Sequence, residues 1–275
     1  MPELPEVEVS RQGLLPHLSR QSIVGAVVRT PRLRLEIPAG LDSRLAGLRV
    51  DAILRRGKYL LFDCQSARGG GWLLLHLGMS GSLRLVPPNT PAQKHDHVDL
   101  LFDQTVLRLR DPRRFGALLW HEGGDVAAHP VLAGLGVEPL SEDFSGDWLH
   151  AAAGGRRAPI KPLLMDSHLV VGIGNIYAAE SLYQARISPR RAANRISRER
   201  YGVLAESIRA TLLASIAVGG SSVRDYVHSD GGAGCFQLSC AVYGRAGEPC
   251  PTCNRAVRMI RQAGRSTFYC PRCQH

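Results

Sequence analysis

Apolar residues in the first 120 positions recur in short alternating runs separated by turn-forming residues, at 23–28, 49–54, 59–63, 72–77, 82–86, 97–102, 106–110 and 117–120. So many short strands in sequence predict a β-sandwich or barrel. Ahead of them Val7, Leu14, Leu15 and Leu18 follow Pro5 at helical spacing. Proline suits the first turn of a helix, so one helix is predicted before the strands. Past a Gly- and Pro-punctuated stretch at 134–143 the period changes. Tyr201, Leu204, Ile208, Leu212 and Ile216 form a helical stripe that the pair Gly219-Gly220 stops. A segment rich in Gly, Ser and Asp, 221–234, then leads to a cysteine-bearing C-terminus. The chain therefore predicts an α+β protein: a strand-rich half, a helical half and a small terminal module, without internal repeats.

Composition narrows the partners. The chain has 275 residues, 44% of them hydrophobic, enough for a packed core and long enough to favour two domains. Lys and Arg number 34 against 24 Asp and Glu, a formal charge of +10. That excess favours a polyanion, because neutralising phosphates releases their counterions. The longest apolar runs, such as 72–75 and 169–171, are far shorter than the ~20 residues that span a bilayer. No basic stretch followed by an apolar one opens the chain, so a cytoplasmic location is expected and no membrane partner.

Four of the seven cysteines fall within residues 250–275. Cys250 and Cys253 form one pair two residues apart, Cys270 and Cys273 a second, with sixteen residues between. Two such knuckles close a tetrahedral site for one Zn²⁺, and four thiolates leave no coordination position open, so the metal is expected to be structural. Cys64, Cys235 and Cys240 stand apart. Between the knuckles Arg255, Arg258, Arg261 and Arg265 alternate with Val257, Ile260 and Phe268, which predicts a β-hairpin with one basic face toward phosphates.

At the other end, removal of Met1 would leave the secondary amine of Pro2 beside Glu3, with Glu6 about one turn on. Taken alone, this proline and these acids equally suit the positive end of a helix. The rest of the chain changes the weight. The segments Met1-Pro-Glu-Leu-Pro-Glu-Val-Glu, His76-Leu-Gly-Met-Ser-Gly, Lys94-His-Asp-His-Val, Asp111-Pro-Arg-Arg-Phe-Gly, Ile160-Lys-Pro and Gly172-Ile-Gly-Asn-Ile-Tyr, with the four-cysteine ending, resemble the formamidopyrimidine-DNA glycosylase family in order and spacing. The resemblance runs from residue 2 to about 274. A related branch, endonuclease VIII, typically has glycine where Leu4 stands here, so Leu4 favours the purine-specific branch.

The resemblance implies an N-terminal β-sandwich with flanking helices over 1–135, a helix-two-turn-helix domain over 136–235 and a zinc-finger hairpin over 236–275, with damaged double-stranded DNA in the cleft between the domains. A monomer is implied. So is a bifunctional reaction, base excision followed by β,δ-elimination, in which Pro2 is the nucleophile, Glu3 the general acid and Glu6 a supporting carboxylate. Lys58 corresponds to the family's second proton donor and phosphate contact, and Arg265 to the position credited with δ-elimination and phosphate binding. His95, Arg113, Arg157, Lys161 and Asn175 match positions that hold DNA phosphates or line the lesion pocket. Met79, Arg113 and Phe115 match the triad that fills the void left by an extruded nucleotide. Residues 229–236 correspond to a cap over the flipped base, with Cys235 where an aromatic residue is common.

Two local patterns invite other readings. His95 and His97 look like metal ligands, but the four thiolates already complete a site and no third ligand is evident. Gly172-Ile-Gly-Asn suggests a dinucleotide fold, yet Tyr177 stands where the third glycine belongs and no matching βαβ unit is apparent. The residues leave open an endonuclease VIII-like enzyme for oxidised pyrimidines, a non-catalytic zinc-dependent DNA- or RNA-binding module and a nucleotide-cofactor enzyme. They also leave open the preference among 8-oxoguanine, formamidopyrimidines and oxidised pyrimidines, and the preferred opposite base.

Overall fold

A computed structural model of the chain describes residues 2–220 and 240–275. The chain divides into two compact units, one built on residues up to Ala133 with the segment that begins at Val218, the other on Gly134–Ala217 with the C-terminal residues. Among the described residues no helix is long and apolar enough to cross a membrane.

The first unit opens with α1 (Leu4–Leu18), which places Leu4, Val7, Leu14 and Leu18 on its buried side. Its remaining elements are β1 (Ile23–Val28), the short α2 (Leu41–Leu45), β2 (Arg49–Arg56), β3 (Tyr59–Ser66), β4 (Gly69–His76), β5 (Ser82–Val86), β6 (Asp96–Phe102), β7 (Val106–Arg110), β8 (Ala117–Glu122) and the single-turn α3 (Pro130–Ala133). All eight expected strands are present. The strand pattern did not foresee α2, and β3 and β4 run longer than expected because the glycine run at 69–71, a turn signal by composition, pairs in register with Ser66, Gln65 and Cys64.

The strands form two antiparallel four-stranded sheets, β1-β6-β7-β5 and β2-β3-β4-β8. Leu60 pairs with Leu75 and Leu75 with Leu118 in one sheet, while Val98 and Leu83 both pair with Leu109 in the other. All six belong to one buried core that joins both sheets to α1. This is the sandwich expected of strands that alternate buried and solvated positions. Each such leucine contributes roughly 1.5–3 kcal/mol by leaving water.

The second unit contains α4 (Gly146–Ala153), α5 (Ile160–Leu164), α6 (Asn175–Gln184), α7 (Arg198–Ala217) and the hairpin of β9 (Arg258–Gln262) and β10 (Arg265–Tyr269). The stripe expected in α7 faces inward, with Tyr201, Leu204, Ile208 and Leu212 buried, and α4 and α6 pack against it. Tyr177 of α6 and Ser215 of α7 share a buried hydrogen bond of 2.6 Å. The hairpin corrects one expectation. Side chains alternate along a strand, and the register Gln262↔Arg265, Arg261↔Ser266 and Arg258↔Tyr269 places Arg258 and Arg265 on one face and Arg261 on the other. The arginines therefore do not share a single basic face.

Candidate active site and zinc centre

Strand register in the first unit brings most of its sequence-selected residues to one end of the sandwich. Tyr59 pairs with His76 and His76 with Ala117, so the two-residue turn Gly57-Lys58, the end of β4 and the start of β8 lie side by side. In the other sheet Ser82 and Asp96 both pair with Arg110. The segments 77–81 and 111–116 are therefore two of the crossings between the sheets, and they run next to each other. The first carries Met79, the second Arg113 and Phe115.

These two crossings are clasped. Ser80 Oγ donates to Asp111 Oδ1 at 2.7 Å, the Gly116 amide donates to Asp111 Oδ2 at 2.8 Å, and the Arg113 amide donates to Ser80 Oγ at 3.1 Å. Gly78 adopts φ +63, and a Cβ there would come within 2.3 Å of the Phe115 carbonyl carbon. Only glycine meets both demands. The clasp leaves Met79 and Phe115 unusually exposed for apolar residues, at 36% and 44%, with the Arg113 guanidinium 4.8 Å from the centre of the Phe115 ring. His95 arrives at the same end through its carbonyl, which accepts from the Asp111 amide at 3.0 Å, and holds φ +77. Burial, with the positive charges of Lys94 and Arg110, keeps its imidazole below the ordinary histidine range. His97 gives its Nε2 to the Asp111 carbonyl at 2.9 Å, a structural contact that accounts for it without a metal.

The N-terminus is held and not frayed. Pro2 is buried, and so are Glu3 and Glu6, 2% and 0% exposed. The Glu3 amide donates to Glu6 Oε2 at 2.7 Å while the Glu3 side chain accepts from the Glu6 amide, a reciprocal cap on α1. Both carboxylates thus sit at the first turn of the helix. Gly220 packs on Glu6, where a Cβ would come within 3.2 Å of Oε1.

Lys58 is placed by a relay from α1. Glu8 Oε2 accepts from Arg55 Nε at 3.1 Å, and Arg55 Nη1 donates to the Gly57 carbonyl at 3.1 Å. Burial pushes the Glu8 carboxyl up, but hydrogen bonds and charge from Arg11, then Gln12 and Arg55, outweigh it and hold it below the usual carboxylate range.

Sequence reasoning passed over His76, Ser80 and Asp111, though all three lie in the motifs that carried the resemblance. His76 Nδ1 accepts from the Gly78 amide at 2.9 Å, which fixes the crossing that bears Met79. Burial first, then the charges of Arg34 and Lys58, push this imidazole down to about 3. An acceptor Nδ1 puts the ring proton on Nε2. The missed signal was a polar residue at each end of an otherwise apolar strand and crossing.

In the second unit Lys161 is almost fully buried, and its ammonium donates to Asn175 Oδ1 at 2.5 Å and Thr267 Oγ1 at 2.8 Å. Asn175 Nδ2 in turn donates to the Ser266 carbonyl at 2.9 Å. Lys161, Asn175 and β10 are thereby locked together, with Arg265 exposed at the start of that strand. The hairpin turn Ala263-Gly264 has positive φ at both positions, +45 and +76, as a two-residue turn that matches strand twist demands. Gly174 is the N-cap of α6, so Asn175 stands at the first position of that helix. Arg157 lies exposed between α4 and α5. The cap expected at 229–236, including Cys235, lies outside the described residues.

The four cysteine sulfurs lie within 4.8 Å of one another. Cys250 and Cys273 are 3.8 Å apart at sulfur, Cys253 and Cys270 3.5 Å. A tetrahedral zinc with Zn–S near 2.3 Å requires sulfurs about 3.8 Å apart, so the donor set fits one structural zinc ion. Around it Val242, Cys250, Val257 and Cys270 pack on Ala179 and Tyr183 of α6. Three successive amides, Ala241, Val242 and Tyr243, donate to the buried Glu180 carboxylate at 2.8 to 3.0 Å and fix the start of the module on the same helix.

Comparison with known proteins gives three successive matches along the chain. The profile of the formamidopyrimidine-DNA glycosylase N-terminal domain matches residues 1–118, that of the formamidopyrimidine-DNA glycosylase H2TH domain 135–227, and that of a zinc finger found in FPG and IleRS 247–275. The formamidopyrimidine-DNA glycosylase of Dechloromonas aromatica is 60% identical over 277 residues, covering all of both chains. The solved structure of the MutM (Fpg) protein of Thermus thermophilus is similar at 40% identity and a TM-score of 0.87, over 99% of this chain and 98% of that one. A Lactococcus lactis FPG mutant in complex with a Fapy-dG-containing DNA is similar at 35% identity and a TM-score of 0.90, over 99% of both. Three consecutive domain profiles and a full-length relative at this identity leave one conclusion: the chain belongs to the formamidopyrimidine-DNA glycosylase family.

Proposed function

We propose that this chain is a DNA glycosylase with abasic-site lyase activity that removes oxidised purines, 8-oxoguanine and formamidopyrimidines, from duplex DNA through the Pro2 nitrogen. The observation that carries the reading is the buried start of the chain, with Pro2 directly before a helix whose capping carboxylate is Glu3. Leu4 and the relative bound to Fapy-dG DNA support the purine class.

Breaking a glycosidic bond and then a strand divides into easier steps through a covalent amine. In the processed chain Pro2 is a free secondary amine with an ordinary pKa of about 8, so a useful fraction is neutral near pH 7. Its nitrogen bonds to C1′ of the sugar as the base leaves. Glu3 supplies a proton to the opening ring, with Glu6 supporting it. A secondary amine gives an iminium directly, and this cation draws electrons from the C2′–H bond so that the 3′ phosphate departs. Lys58 assists that elimination, and Arg265 the later loss of the 5′ phosphate.

Extrusion of the nucleotide leaves a void for Met79, Arg113 and Phe115. Their exposure on a clasped pair of crossings suits insertion. His95, Arg157, Lys161 and Asn175 serve DNA phosphates, Lys161 by orienting Asn175 and β10. Zinc, when bound, joins the four thiolates and folds the module that carries Arg265. In this scheme residues 1–135 supply the nucleophile, the void fillers and His95, 136–235 the contacts of Arg157, Lys161 and Asn175, and 236–275 the finger. One copy carries every group used, so we read a monomer, acting in the cytoplasm where bacterial DNA lies.

Borohydride reduction of the reaction on an 8-oxoguanine duplex tests the reading. A stable protein–DNA cross-link is expected, located to Pro2 by peptide mass spectrometry. Strand cleavage at full rate with no cross-link overturns it.

A further inference from the structure

Tyr183 sits next to the last residue of α6, and its ring belongs to the apolar cluster under the zinc module. Its hydroxyl stands 3.3 Å from Cys250 Sγ and 2.7 Å from Thr252 Oγ1. A phenylalanine would fill the same apolar space, so packing alone does not account for an oxygen there.

A thiolate bound to zinc has no proton to give, which sets the direction of both bonds. Thr252 donates to Tyr183, and Tyr183 donates to Cys250. Four thiolates around one divalent cation carry excess negative charge, and donors to sulfur are what disperse it. The backbone amides of Thr252 and Cys253 serve Cys250 as well, and the Cys273 amide serves Cys270 at 3.4 Å. Among these donors the Tyr183 hydroxyl comes from outside the knuckles, from a helix of the second unit's core.

We propose that Tyr183 is a positioning residue of the zinc centre: its hydroxyl, oriented by Thr252, holds the Cys250 thiolate to α6 and slows loss of the metal. The consequence reaches the finger. Asn175, at the opposite end of α6, donates to Ser266 of β10, so one helix grips the module at its metal and at the strand that carries Arg265.

The test uses the full-length, zinc-loaded chain and the variants Tyr183→Phe and Thr252→Val, with zinc transfer to pyridylazoresorcinol followed by absorbance. Tyr183→Phe is expected to release zinc about 10- to 100-fold faster, and Thr252→Val to accelerate release less because the tyrosine still donates. In cobalt-substituted protein the sulfur-to-cobalt charge-transfer band of Tyr183→Phe is expected at longer wavelength, since a hydrogen bond lowers the energy of the sulfur lone pairs. A packing role would not move that band. Release rate and band both equal to those of the parent chain overturn the proposal. Should Tyr183→Phe not fold, Thr252→Val decides: faster release supports it, unchanged release rejects it.

Discussion

Ser80 Oγ and Asp111 Oδ1 meet at 2.7 Å across 31 positions of sequence, and both residues are buried. The pair exists because β4 lies beside β8 and β5 beside β7, so the crossings from β4 to β5 and from β7 to β8 must pass each other. Asp111 also takes the Gly116 amide at 2.8 Å, which leaves the carboxylate satisfied only while both crossings stay in place.

Ser80→Ala removes a donor to a buried carboxylate, and such bonds are worth about 1.5–3 kcal/mol. Urea denaturation at pH 7 is expected to show a loss of that order. Because the Arg113 amide also rests on Ser80, excision of a paired lesion is expected to fall further than cleavage at a ready-made abasic site. Parent-like stability would show that the clasp is not needed.

Phe115→Ala tests the wedge. Phe115 is 44% exposed, so its removal makes little cavity, and stability is expected to change by less than the ~3–5 kcal/mol typical of a buried phenylalanine. Loss is expected in single-turnover excision of 8-oxoguanine, with near-normal nicking of abasic duplexes. An equal fall on both substrates contradicts the insertion role.

His76 gives a pH dependence whose sign can be worked out. An unfolded histidine takes up its proton near 6.5, whereas burial and the charges of Arg34 and Lys58 hold the folded group at about 3. Between those values the unfolded state binds more protons, so this residue makes stability fall as pH drops from about 6.5 towards 3. In His76→Asn, whose side-chain oxygen can still accept from Gly78, denaturation series at pH 7, 5.5 and 4.5 are expected to show a shallower decline. An equally steep decline removes His76 as the cause.

Much of this architecture was legible because its signals are local. Strand alternation, the α7 stripe and the cysteine spacing each depend on neighbours in sequence, and each appears where expected. The clasp, the Glu8–Arg55–Gly57 relay and the Lys161–Asn175–Thr267 lock were not legible, since each joins residues far apart and follows from register. Lys161 shows the difference well. Its motif marked it among positions that hold DNA phosphates or line the lesion pocket, but not that its ammonium is buried against Asn175 and Thr267. The single basic face expected of the hairpin arginines is not found, because spacing in sequence does not say which face a strand residue takes.

Glu3→Gln separates chemistry from structure at the start of the chain. The side chain of Glu3 is buried and accepts from the Glu6 amide, and a glutamine oxygen can accept the same bond, so the cap on α1 is expected to survive. What the amide cannot do is give a proton to the opening sugar. General-acid roles of this kind are worth about 10²–10⁴-fold in rate, so single-turnover excision of 8-oxoguanine is expected to fall by that order. Affinity for a lesion duplex, measured by fluorescence anisotropy, and urea stability are expected to stay near those of the parent. Excision at the parent rate would remove Glu3 from the proton path, and a matching loss of binding would make it a binding residue instead.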